Sequence, residues 1–333
     1  MTVLLLNDTD EDGAHFGCQR VMRTMRQELA LRGMPDLPSL KVGTDWKSDA
    51  RAMAALDAAQ VVVINGEGTL HHGKHRGRWL LEAGARVKAR GGRVALVNAL
   101  WQDNPQDWAD LAVQFDILCC RDSRSAGALA EQAGCRVDWI GDLSMFPTAP
   151  PSLPGVRQGI TVSCSVNRKV TERLASLTDR MQAEFLPITT TLKAVSPHLT
   201  GMRRAIRKAY AQWFQRRFVS AHPATRFVAG DVAYMQSLAQ HRLLVTGRFH
   251  AVTMAIASGT PFVAVASNSW KIEALLADIG LDADRVQPLD TITPALFASR
   301  NWDFSTEEIT RIEAALRQWR IAGHALFDRI AAL

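Results

Sequence analysis

Cysteine is scarce in this chain. Five occur in 333 residues: Cys18, Cys119, Cys120, Cys135 and Cys164. The number is odd, no zinc-type spacing is present, and Cys119-Cys120 sits in an apolar run. The expectation is reduced, mostly buried thiols in a cytoplasmic protein. Long hydrophobic runs are missing too. The apolar stretch Val3–Leu6 is far too short for a signal peptide and lacks a basic flank. Nothing approaches the roughly 20 apolar residues of a membrane span. Internal repeats and low-complexity tracts are absent. Charge of one sign is in only modest excess, +6 with a pI near 9.3. That suits an anionic ligand or surface and is too little to imply nucleic acid. What the chain does have is packing material: 47% of its residues are hydrophobic, as in a folded globular protein. Its length allows two domains of ordinary size.

Short apolar runs alternate with amphipathic stretches. Strands are expected at 3–6, 61–64, 93–97, 117–120 and 136–140, then near 159–164, 226–228, 243–246 and 261–265. Helices are expected at 18–32, 77–90, 107–114 and 123–134, with others between the later strands. Such alternation builds a parallel sheet with helices on both faces. Prolines cluster in "PTAPPSLPGVRQG", residues 147–159, and resist both helix and sheet. The fold class expected is therefore α/β, with two Rossmann-like domains facing across a cleft. Their bounds are 1–150 and 151–305. A terminal helix over 306–333 repeats Ile309, Ile312, Leu316, Trp319 and Leu326 at three-to-four-residue spacing and has the length to return to the first domain.

In such sheets ligands bind beyond the carboxyl ends of the strands. "VVVINGEGTLHHGKH" (61–75) places Gly66, Glu67 and Gly68 just after a strand. Glycine there lets backbone approach a ligand, or simply makes a turn with positive φ. His71, His72 and His75 lack the companion ligands of a metal site. "LNDTDEDGAHFGCQR" (6–20) carries acids, Asp12 among them, then His15; the acids suit helix capping or general-base work. "CCRDSRSAGAL" (119–129) sets Arg121 and Asp122 at a strand end, as a loop-fixing pair or as site residues, with Ser123 or Ser125 placed to cap the helix. "VTGRFHAVTMAIASGTPFVAV" (245–265) ends a strand at Gly247. Arg248 and His250 then stand at a helix start, where free amides and the helix dipole already favour an anion. Ser267, Asn268 and Lys271 follow the next strand. Together Arg248, His250 and Lys271 make a cationic corner suited to carboxylate or phosphate.

The order Gly247, Arg248, His250, Ala255, Gly259, Pro261, Lys271, Gly280 resembles the polysaccharide pyruvyl transferases. The turn at Gly66–Gly68 and the Arg121-Asp122-x-x-Ser125 element also look like that family. Departures are Glu67 within the first turn, Asn268 where a Tyr is common, and no Arg in Ser163-Cys164-Ser165, with Arg168 and Lys169 the nearby cations that could take its place. The resemblance implies a glycosyltransferase-B-like architecture. It also implies transfer of pyruvate from phosphoenolpyruvate, a co-substrate, to a sugar of a cell-surface glycan as a cyclic ketal, with no cofactor and no metal. On that reading Arg248, His250, Lys271, Ser267 and Asn268 bind the donor. The first half, with Gly66, Gly68, His15 and Arg121, takes a glycan or lipid-linked acceptor. His250, Asp122, Glu67 and Asp12 are the candidates for proton transfer. A nucleotide-sugar glycosyltransferase and a non-catalytic family member remain as alternatives.

A last stretch, "GMRRAIRKAYAQWFQRRF" (201–218), carries six cations and no acid. Ile206, Tyr210, Trp213 and Phe214 fall on helical spacing. Such a helix either packs on the core with a solvated basic face or lies on an anionic membrane surface.

Overall fold

The structure, a computed structural model, describes residues 2–10, 13–146, 156–267 and 269–333. Asp12, Asn268 and residues 147–155 of the proline-rich segment lie outside these. The chain divides into two compact units. Unit 1 comprises the described residues of 1–9, 22–143 and 317–333; unit 2 those of 10–21 and 144–316. The chain passes between the units at Thr9/Asp10, Val21/Met22, Leu143/Ser144 and Leu316/Arg317.

Unit 1 is built on a six-stranded sheet: β1 (Val3–Asp8), β2 (Ser39–Lys41), β3 (Val61–Asn65), β4 (Arg93–Ala99), β5 (Ile117–Cys120) and β6 (Asp138–Trp139). Every pairing is parallel, in the order β2-β1-β3-β4-β5-β6. The four longest strands are almost wholly buried, which is why they read as continuous apolar runs rather than alternating ones. The intervening helices are α1 (Phe16–Ala30, shared with unit 2), α2 (Ala50–Ala58), α3 (His75–Ala89), α4 (Gln106–Ala112) and α5 (Ser123–Ala133). Leu4, Leu6, Val62, Ile64, Leu96, Trp101 and Trp108 belong to one buried cluster of this unit.

Unit 2 holds a five-stranded parallel sheet of β7 (Ile160–Ser165), β8 (Glu184–Phe185), β9 (Leu243–Gly247), β10 (Phe262–Val265) and β11 (Val286–Gln287), ordered β11-β10-β9-β7-β8. Its helices are α6 (Arg168–Met181), α7 (Gly201–Ala221), α8 (Asp231–Gln240), α9 (Phe249–Ala257), α10 (Lys271–Ile279) and α11 (Pro294–Ser299). The last helix, α12 (Thr306–Ala331), starts in unit 2, and its stretch from Arg317 belongs to unit 1. There Arg329 Nη1 pairs with Asp138 (2.6 Å) and Trp319 meets Trp139 edge-on.

One expected strand does not form. Residues 226–228 are irregular, and the segment makes only an isolated parallel bridge, Phe185 with Thr225. The edge of that sheet is the two-residue β8, which pairs with β7 on one side and makes this single bridge on the other.

Candidate functional site

The two strand orders define where ligands should go. In each sheet one strand has its sequence successors on opposite sides, and a crevice opens at its carboxyl end. In unit 2 this point lies between β7 and β9, where Ser165 stands beside Gly247. A Cβ on Gly247 would come within 2.6 Å of Ser165 Cβ, so the close pairing of the two strand ends needs glycine here.

Arg248 follows at once. It is the N-cap of α9 in an extended conformation (φ −118°, ψ 127°), and its side chain makes no capping bond. Its own N–H donates to Thr246 Oγ1 (3.1 Å). The side chain is half-buried, and Nε is fully buried with no hydrogen-bond partner among the described residues. An unsatisfied buried donor costs about 1–3 kcal/mol, more when charged, and guanidinium forks match carboxylate and phosphate. Arg248 therefore has the position, charge and spare donor of an anion-binding residue.

His250, one residue inside the helix, is buried. His15 meets it edge-on, with ring centroids 5.4 Å apart. The start of α1 is pressed against His250, since a Cβ on Gly17 would fall 2.2 Å from His250 Cβ. Cys18 N–H donates to His15 Nδ1 (3.3 Å). Burial first, then the neighbouring His250 and Arg248, hold the His15 imidazole well below the ordinary histidine range, so it is neutral at pH 7. His15 thus belongs to unit 2 with Arg248 and His250, whereas Gly66 and Gly68 belong to unit 1. Potential ligand atoms of His15, Cys18 and His250 all lie within 4.8 Å of one another, the one such trio among the described residues. His71, His72 and His75 form no such group: His72 pairs with Asp103, and His75 leans on Trp79.

Lys271 begins α10 at the same edge of the sheet, after β10. Ser267 is exposed and closes a local turn, donating to Ser269 O (2.9 Å). Sequence reading missed Ser269, whose buried Oγ has no partner among the described residues. Arg20 was also missed. It is buried and tied to Ser144 O (2.5 Å), Phe146 O (3.1 Å) and Asp231 (3.7 Å), which makes it a structural cation.

In unit 1 the corresponding point lies between β1 and β3. Glu67, at φ 24°, is a non-glycine residue in the region that favours glycine. The positive φ of the turn falls on Glu67, not on Gly66 or Gly68. Gly66 is needed for another reason: a Cβ there would sit 2.5 Å from Ala99 Cβ. Gly68 is exposed and has open space around it. The buried Glu67 carboxylate accepts from Thr9 Oγ1 (2.5 Å) and Asn65 Nδ2 (3.0 Å). Asn7 (φ 62°) bonds Asn65 O (2.7 Å) and Thr69 Oγ1 (2.9 Å). Thr9, Asn7 and Asn65 were not foreseen, although asparagines near the carboxyl ends of two neighbouring strands were a visible sign: asparagine tolerates the positive φ that Asn7 adopts.

Arg121 reaches Asp142 (3.4 Å) in a buried ion pair. Asp122 is the N-cap of α5 and accepts from Ser125 N–H (2.6 Å) and Ser125 Oγ (2.9 Å). The cap is thus Asp122, with neither Ser123 nor Ser125 in that place.

Solved structures of similar shape define the class. Sucrose-phosphate synthase from Thermosynechococcus elongatus superposes with TM-score 0.58 over all of both chains at 12% identity. UDP-GlcNAc 2-epimerase from Neisseria meningitidis, bound to UDP-GlcNAc, gives 0.53 over 96% of this chain and 99% of its own at 8% identity. The Methanocaldococcus jannaschii enzyme of the same name, in complex with UDP-GlcNAc and UDP, gives 0.52 over 96% and 100% at 11%. At such identities they show the fold alone, that of the glycosyltransferase-B and epimerase proteins. No curated protein matches the chain in sequence. The sequence model of the polysaccharide pyruvyl transferases matches residues 20–269, which include Arg121, Asp122, Arg248 and His250. The chain belongs to that family of transferases.

Proposed function

We propose that the protein transfers pyruvate from phosphoenolpyruvate to two neighbouring hydroxyls of a glycan or lipid-linked sugar. In this reaction the phosphate-bearing carbon gains two C–O bonds to the sugar and loses its bond to phosphate. One hydroxyl proton ends on the methylene carbon, which becomes a methyl group; the other leaves with phosphate. The donor is small and carries a carboxylate and a phosphate. Arg248, with its unsatisfied buried Nε at the start of α9, is the observation that carries this reading. His250 contacts the donor or moves a proton, and Lys271 is a second cation at the same sheet edge. Glu67, buried and held by Thr9 and Asn65, is the acid best suited to receive a hydroxyl proton.

A nucleotide sugar is the second reading, because two of the structural neighbours bind UDP-GlcNAc. Ligand-dependent thermal unfolding separates the two. Phosphoenolpyruvate at 100 times its dissociation constant should stabilise the native protein by about 2.7 kcal/mol, and UDP-GlcNAc should not. Stabilisation by the nucleotide sugar alone would move the assignment to sugar transfer.

A further inference from the structure

Helix α7 is unlike the other long helices of the chain. Of its 21 residues only Ala211 and Phe218 are buried. Arg204, Arg207 and Phe214 are half-buried and share that inward side. A second apolar row faces outward. Met202, Ile206, Tyr210 and Trp213 are 76%, 63%, 40% and 54% exposed. At about 100° per residue they fall within an arc of about 80°. Around them stand the exposed Arg203, Lys208, Arg216 and Arg217. The helix holds six cations and no carboxylate, as many positive charges as the formal net charge of the whole chain, +6. Arg207 lies 5.4 Å over the Tyr210 ring and Arg217 5.7 Å over Trp213, so guanidinium groups flank the apolar row.

We infer that α7 lies on an anionic lipid surface, with Met202, Ile206, Tyr210 and Trp213 entering the headgroup boundary and the flanking cations meeting lipid phosphates. Tryptophan and tyrosine prefer that boundary, and long cationic side chains lie along it with their heads in the polar layer. Among the described residues no helix is long and apolar enough to cross a membrane, so the contact is in plane. Charge selects this partner over a second copy of the chain, because two such helices would bring like charges together. The aliphatic Met202 and Ile206 likewise favour lipid over a polynucleotide. Neither donor nor acceptor chemistry enters, so the outcome is independent of the proposed function.

The test is co-sedimentation of the full chain with phosphatidylcholine vesicles, with and without about one third phosphatidylglycerol. Binding is expected only to the anionic vesicles and should weaken as salt rises. The double variant I206S/W213S and the quadruple variant R203Q/K208Q/R216Q/R217Q should each bind at least tenfold more weakly. Both change only exposed side chains, and unaltered circular dichroism and thermal unfolding would confirm that they fold. Equal sedimentation with neutral and anionic vesicles, or wild-type binding by both variants, overturns the inference. So does an α7-dependent association with RNA or with a second copy when vesicles are ignored.

Discussion

Half-buried Arg248 differs from the buried Arg285 and Arg20 in having work left to do. Arg285 is clasped by both oxygens of Glu308 (2.9 and 2.8 Å) and by Trp302 O (3.0 Å). Arg20 holds two carbonyls and Asp231. Those arginines are consumed by the fold. Arg248 keeps a buried donor with no match among the described residues, at a helix start, an arrangement that costs stability unless a ligand uses it. The adjacent packing is equally exacting. Gly17→Ala would drive a methyl group into His250, displacing either the ring or the start of α1. We expect a loss of about 1–3 kcal/mol in thermal unfolding and weaker donor binding. A fully stable, fully active Gly17→Ala protein would contradict the packing described.

Among the elements, α5 separates capping from catalysis. If Asp122 serves the helix, Asp122→Asn should stay near wild type in stability and turnover, because asparagine caps as well. Asp122→Ala should lose about 1 kcal/mol in denaturant unfolding. An Asp122→Asn protein that folds normally but turns over far more slowly would restore Asp122 as a proton carrier. Long buried strands such as β1, β3 and β4 were legible because several consecutive apolar residues leave few other structures open. The edge strands β2, β6, β8 and β11 span two or three residues and carry no period. They exist because a neighbouring strand offers backbone groups, which local sequence does not record. Residues 226–228 failed in the opposite sense. Their composition suits a strand, but Phe185 N–H and Phe185 O are spent on Ala224 and Arg226, and the pairing ends there.

Over the whole molecule, the candidate site was readable where its residues are close in sequence. Arg248 and His250 share one turn of helix, and the strand before them announces it. The His15, Gly17 and Cys18 side of that site is more than 200 residues distant in sequence. Glu67 similarly depends on Thr9, which directly follows β1. Only the strand order β2-β1-β3 brings these together. That order is itself tied down by Asp8, at the end of β1, which binds Arg26 (2.8 Å), Lys41 (2.9 Å) and Ser39 Oγ (2.8 Å). Burial pushes its pKa up, but the bonds to Lys41 and Ser39 and the Arg26 charge outweigh this and hold it below the ordinary aspartate range. A carboxyl lowered in the native state contributes stability that is complete above its unfolded pKa and lost as pH falls through the folded value. Asp8→Asn should therefore lower stability at pH 7 and flatten its decline below about pH 4 in acid-unfolding curves. An acid limb identical to wild type would remove Asp8 from that role.

The claim that Arg248 is the donor's anchor is met most directly by a crystal grown with phosphoenolpyruvate. A carboxylate or phosphate oxygen should lie about 2.9 Å from Arg248 Nε, filling the place where the described residues supply no acceptor. Phosphoenolpyruvate bound elsewhere, with Nε still unmatched, would contradict it.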